Sequence, residues 1–174
     1  EHSSAATVRM RIFNADGNEA EMCGNGVRCV AHYAASLPQG TASGSPFSLS
    51  IEAMHQTIHA VIENGTIVTR IPPPMEAIAT KAVPVEDRSL TAYYLDTGVP
   101  HAILFSGQID ETAFPSIAPK IRRHPLFAPR GTNVNLVELL PDESIRIRTY
   151  ERGVEGETLA CGTGALAAAL TAAT

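Results

Sequence analysis

The sequence has no tryptophan, and only two of its 174 residues, Lys81 and Lys120, are lysines. An enzyme built on pyridoxal phosphate needs a lysine to hold the cofactor as a Schiff base, and neither lysine stands in a motif for that role, so no cofactor is expected. Positive charge is also scarce. The formal net charge is −5 and the arginines are spread along the chain, which argues against a nucleic-acid surface. No apolar run approaches the roughly 18 residues of a membrane span; the longest, around Ala165 to Leu170, reads as a buried core helix. Three cysteines are an odd count in no disulfide-framework spacing, and there is no signal-like start. Both point to a reducing cytoplasm. The chain opens on Glu1 without methionine, so it is expected to be part of a longer polypeptide.

What is present is a repeated device. Met22-Cys23-Gly24-Asn25-Gly26 opens what reads as a helix directly after polar turn residues, and Ala160-Cys161-Gly162-Thr163-Gly164 does the same near the other end. Upstream, Arg9 to Phe13 and Arg146 to Tyr150 both alternate apolar residues and arginine as half-buried strands do. When the cysteines are aligned, these strands fall one residue out of register. A duplicated strand, loop, Cys-Gly-x-Gly, helix unit follows, giving two halves that each contribute one thiol. Cysteine acts as nucleophile or base only as thiolate, and a helix N-terminus favours that anion. Glycines around it let backbone amides approach a bound carboxylate. An isolated cysteine is more often a small buried hydrophobe; duplication of the whole unit favours chemistry. Two matched thiols suggest a proton moved from one face of a carbon to the other.

Cys29 reads as structural. On one helix it lies about 9 Å along the axis from Cys23, beyond disulfide reach. Cys23, Cys29 and His32 would scatter around that helix, so no metal site is expected. Val27, Val30, Ala31 and Ala34 form a core-facing stripe, and His32 reads as a partly covered structural histidine. The stretch from Leu37 to Ser45 reads as a surface loop. Alternation in Phe47 to Ile51, then Thr57 to Ile62 and Thr66 to Ile71 around Asn64-Gly65, predicts antiparallel strands with a tight hairpin. Prolines from Pro72 to Pro84 mark a linker and hinge, dividing the chain into lobes 1–78, carrying Cys23, and 79–174, carrying Cys161. A second set of strands is expected from near Leu90. His101 re-enters a strand after a turn and, read alone, is structural. The stretch from Ser106 to Pro129 reads as a polar connection with a short helix. Asn133 and Asn135 on one strand must find hydrogen-bond partners if buried, a zwitterionic ligand being one option. The Glu151-Arg152 pair is either a solvated surface pair or a clamp for an amino group and a carboxylate.

Four stretches, FNADGNEAEMCGNGVRC, TGVPHA, RRHPLF with GTNVNLV, and YERGVEGETLACGTGA, resemble the diaminopimelate epimerases in order and content. The resemblance implies an α+β fold of two pseudo-symmetric lobes, each a mostly antiparallel sheet wrapped around a central helix, with the active site in the cleft between them. It also implies cofactor-free conversion of LL-2,6-diaminopimelate to the meso isomer, toward lysine and peptidoglycan. By the same resemblance Cys23 and Cys161 are the catalytic pair, with His101 and Glu151 adjusting them. Gly24, Asn25, Gly162 and Thr163 match residues that line the site for the reacting carboxylate. Asn14, Asn133, Glu151 and Arg152 match those that hold the rest of the substrate. Val99 replaces an asparagine common in the family, and the family continues on both sides of this chain. The expected partner is a small molecule, with no nucleic acid and no membrane; a homodimer is left open. Three other readings compete: a related cofactor-free racemase of proline or hydroxyproline, a noncatalytic binding fragment, and a redox thiol pair.

Overall fold

The computed structural model describes residues 1–14, 17–38, 40, 46–74, 76–107 and 111–174. The chain divides into two compact units, Glu1–Pro73 and Pro74–Thr174. Both are α+β. Most of the predicted loop at 37–45, and Ala15 and Asp16 of the turn before Cys23, lie outside the described residues.

The first unit is a four-stranded sheet in the order β1-β2-β3-β4, made of β1 (Val8–Arg9), β2 (Phe47–Glu52), β3 (Thr57–Glu63) and β4 (Thr66–Arg70). Only β1 and β2 run parallel. The β3–β4 hairpin turns on Asn64 and Gly65, both at positive φ (49° and 77°), as a primed turn demands and as Asn-Gly allows at least cost. β1 is shorter than the alternating pattern predicts. After the Met10 N–H bonds Glu52 the chain leaves β2, and Phe13 makes only an isolated bridge to Glu19. Alternation reports an extended chain; pairing needs a neighbour. Helix α1 (Gly24–Ser36) lies against β2, β3 and β4 and buries Val27, Ala31 and Ala34. His32 and Cys29 are exposed, so neither packs into the core, contrary to the structural roles expected of them.

The second unit is a six-stranded sheet in the order β10-β9-β8-β7-β6-β5. It comprises β5 (Ala79–Val85), β6 (Arg88–Asp96), β7 (Pro100–Phe105), β8 (Asn133–Leu139), β9 (Ile145–Glu151) and β10 (Gly156–Thr158), with β7 and β8 the one parallel pair. β5 corrects the linker expectation, because residues 79–84 are strand. It is an edge strand, where Pro84 can sit without breaking a ladder.

Each face of this sheet carries a helix. α2 (Phe114–Arg122) buries Phe114, Ile117, Ala118 and Ile121 against Ala102, Leu104, Val134 and Leu136. The predicted polar connection thus covers one face of the sheet with core side chains, its apolar stripe hidden among prolines. α3 (Gly162–Ala172) packs Ala167 and Ala168 on the opposite face against Leu95, Ile103 and Val137. It is buried on one side only: Ala165, Ala169 and Leu170 are exposed, where the uniform apolar run had predicted full burial. Among the described residues no helix is long and apolar enough to cross a membrane.

Candidate active site

Both cysteines cap helices. Cys23 precedes α1 with φ −145° and ψ 107°, and Cys161 precedes α3 with φ −133° and ψ 104°. Extended backbone at the cap turns the side chain back over the first helical turn, beside amides that have no partner within the helix. The duplication seen in the sequence is therefore also a duplication of local geometry.

Around Cys23 the partners are local. The Gly26 N–H donates to Sγ at 3.3 Å, and Asn25 Oδ1 accepts from Arg28 Nη2 at 2.7 Å. Asn25 itself is exposed and Gly24 half-buried. Sulfur thus takes the place that a serine or aspartate oxygen holds in an ordinary N-cap.

Around Cys161 the sheet takes part. Sγ lies 3.5 Å from Thr163 Oγ1, which lies 3.0 Å from His101 Nε2. His101 Nδ1 is 3.0 Å from Asn135 Nδ2. Asn135 Nδ2 also donates to the Ala102 carbonyl at 3.3 Å, and Asn135 Oδ1 accepts from Thr149 Oγ1 at 2.9 Å. His101, Asn135 and Thr149 stand on the adjacent strands β7, β8 and β9, facing α3. Thr97 Oγ1 ties the helix down through the Thr163 carbonyl at 3.1 Å. His101 and Asn135 are both 0 % exposed. Asn135, which the sequence marked only as needing partners if buried, finds them in His101, the Ala102 carbonyl and Thr149. Its signal, two asparagines two apart on one strand face, was visible, but its partners were not.

Burial holds His101 down from 6.5 to about 3, with the charge of Arg152 adding and that of Asp96 opposing. Burial therefore favours the neutral form of His101 at pH 7. The unfolded chain takes up a proton below pH 6.5 that the folded chain refuses until about pH 3. Stability from this group is full above pH 6.5 and falls as pH drops toward 3, with a slope approaching about 1.4 kcal/mol per pH unit. Denaturant unfolding at pH 6.5 and 5.5 is expected to show this loss, and His101→Gln to lack it. An equal pH dependence in both proteins would contradict the buried neutral histidine.

The glycines differ between the copies. A Cβ on Gly164 would stand 2.6 Å from Asn135 Oδ1 and 3.2 Å from Cys161 Sγ, whereas one on Gly26 would meet nothing closer than 3.5 Å. Gly164 is thus required by the network under the helix. A Cβ on Gly162 would meet nothing within 4 Å, so no close neighbour accounts for that glycine.

Asn133 is 3 % exposed; its amide donates to the Pro100 carbonyl at 2.9 Å and its oxygen accepts from the Arg152 N–H at 2.8 Å. It sets the turn that carries Arg152. That turn is clamped again by Glu155, whose carboxylate takes the Arg122 Nε–H at 2.8 Å and the Gly153 N–H at 3.1 Å. Arg152 Nη1 donates to the Arg130 carbonyl at 3.2 Å, and Glu151 is half-buried at the end of β9. Asn14 lies in the first unit, in the turn closed by its carbonyl and the Gly17 N–H at 2.9 Å. Val99 is buried. The structure joins His101, Asn133, Thr163, Cys161 and Arg152 through one sheet end; Asn14, Cys23, Gly24 and Asn25 belong to the other unit.

A profile of the diaminopimelate epimerase family matches residues 1–69 and 93–174, so both cysteine motifs fall inside the match. The chain belongs to the diaminopimelate epimerase family. It is 38% identical over 175 residues to the diaminopimelate epimerase of Methanocella arvoryzae, covering 95% of this chain and 61% of that protein. It is 39% identical over 164 residues to that of a Hydrogenobaculum species, covering 92% of this chain and 57% of that protein. The chain thus spans about three fifths of the length of these curated relatives. Among solved structures, a phenazine biosynthesis protein of the PhzF family from Bacillus anthracis superposes with TM-score 0.59 over 95% of this chain and 62% of that one. At 18% identity that likeness speaks to the fold alone. Residues 70–92, outside the family match, include the edge strand β5 and the start of β6.

Proposed function

We propose that the whole protein is a cofactor-independent epimerase interconverting LL- and meso-diaminopimelate, with Cys23 and Cys161 as paired base and acid. The observation that carries this reading is the twice-used cap: two cysteines in matching backbone geometry, each at the start of a helix. One sulfur, as thiolate, takes the α-proton; the other, as thiol, returns a proton to the opposite face; the roles exchange with direction. The amides of Gly24, Asn25, Gly162 and Thr163 are suited to the reacting carboxylate, where they would disperse charge as the carbanion forms. Arg152 suits the distal carboxylate, with Glu151 and Asn14 holding the rest of a long zwitterion. Asn133 keeps one amide proton and one oxygen lone pair for the ligand after its two protein bonds. The product would feed lysine and peptidoglycan synthesis in the cytoplasm.

Incubation in D2O with LL-diaminopimelate, proline or glutamate, without added cofactor, tests this. Epimerisation of diaminopimelate with deuterium entering at the α-carbon is expected, and no change in the other two. Turnover of proline alone would replace this reading with that of a proline-type racemase.

A further inference from the structure

The hydrogen bonds beneath α3 have a direction that their distances alone do not state. The Ala102 carbonyl is an acceptor only, so the Asn135 group 3.3 Å away must be its NH2. The same NH2 faces His101 Nδ1 at 3.0 Å, so Nδ1 must accept and carries no proton. Neutral His101 then holds its proton on Nε2, aimed at Thr163 Oγ1 at 3.0 Å. A hydroxyl that accepts there is free to turn its own proton toward Cys161 Sγ, 3.5 Å off.

We propose that Asn135 is a positioning residue for Cys161: it fixes His101 in the Nε2–H tautomer, so that Thr163 presents a hydroxyl proton to the sulfur and stabilises the thiolate. The inference rests on the proposed role of Cys161 and deepens it. His101 acts as a neutral relay and keeps one proton throughout. When Cys161 is a thiol, the second lone pair of Thr163 can accept S–H, so neither protonation state of the sulfur requires a charge on His101. Thr149, by donating to Asn135 Oδ1, holds the amide from its far side. Asp96, at the end of β6, and Arg152, after β9, are the charged groups whose fields reach His101. Its neighbours Asn133 and Asn135 from β8 and Thr163 and Gly164 from α3 are uncharged, and the titratable Cys161 stands at the start of α3.

Two measurements test this without substrate, so their failure is distinct from failure of the epimerase assignment. Nitrogen-15 NMR of the His101 ring at pH 7 is expected to show a protonated Nε2 and a bare Nδ1. A proton on Nδ1, or on both nitrogens, would overturn the proposal. Alkylation of Cys161 by iodoacetamide across pH, in a Cys23→Ser, Cys29→Ser background, reads the thiolate directly. Thr163→Val and Asn135→Leu are each expected to slow the neutral-pH rate about tenfold, the worth of one hydrogen bond to a charged group. Thr163→Ser should restore it, and the Asn135→Leu, Thr163→Val double variant should be no slower than Thr163→Val. An Asn135→Leu profile superimposable on that of the background protein, or additive losses in the double variant, would contradict a single chain. If Asn135→Leu fails to fold, the NMR result and the Thr163 pair still decide.

Discussion

Replacing either Cys23 or Cys161 by alanine is expected to lower epimerisation by about 10²–10⁴-fold or more, the range for loss of a positioned acid or base. The folded structure should survive. Neither cysteine is wholly buried, and the sulfur contacts given up are weak ones, the Gly26 N–H to Cys23 Sγ in one variant and the Thr163 hydroxyl to Cys161 Sγ in the other. The two variants should fail in complementary ways. With one thiol left, a thiolate can still remove the α-proton from the isomer that presents it, but no acid waits on the other face. Exchange with solvent would continue for one isomer in each variant while inversion stops. Circular dichroism that matches the unsubstituted protein, beside a collapsed epimerisation rate, separates lost chemistry from lost structure.

The second large effect sets one glycine against its counterpart. Gly164→Ala places a methyl group 2.6 Å from Asn135 Oδ1, an atom held by Thr149 within a buried network. Something must shift, and overpacking of this kind costs about 1–3 kcal/mol. Because Cys161 Sγ and His101 are the next nearest atoms, the shift would also disturb the thiol, and activity should fall with stability. Gly26→Ala meets only ordinary contacts at 3.5–3.6 Å and removes a helical glycine, so it should be neutral or stabilising by up to about 1 kcal/mol. Denaturation midpoints of the two variants check the contrast; equal losses would show that the glycines share one role.

That contrast also marks how far the sequence could be read. The repeat, both cysteine caps, the Asn64-Gly65 hairpin and the core stripe of α1 were legible because each is a local pattern with a local cause. β5 was not, since prolines look like linker unless the strand is known to lie at an edge. α2 was legible only as a short helix in a connection that reads as polar; that Phe114, Ile117, Ala118 and Ile121 are core shows only in the fold. The site divides the same way. Cys161 could be named from its neighbours in the chain. Asn135 could not, because its meaning comes from His101 and Thr149 on flanking strands, 34 and 14 residues away. Two like motifs suggested like glycines; only the strands beneath α3 reveal that Gly164 answers to Asn135.

The most direct measurement is deuterium at the α-carbon of diaminopimelate, followed in D2O for the unsubstituted protein and for each single-cysteine variant. A two-thiol reaction predicts label in the inverted product of the former, and label without inversion, from opposite isomers, in the variants. Inversion that continues undiminished after either cysteine is removed would contradict it.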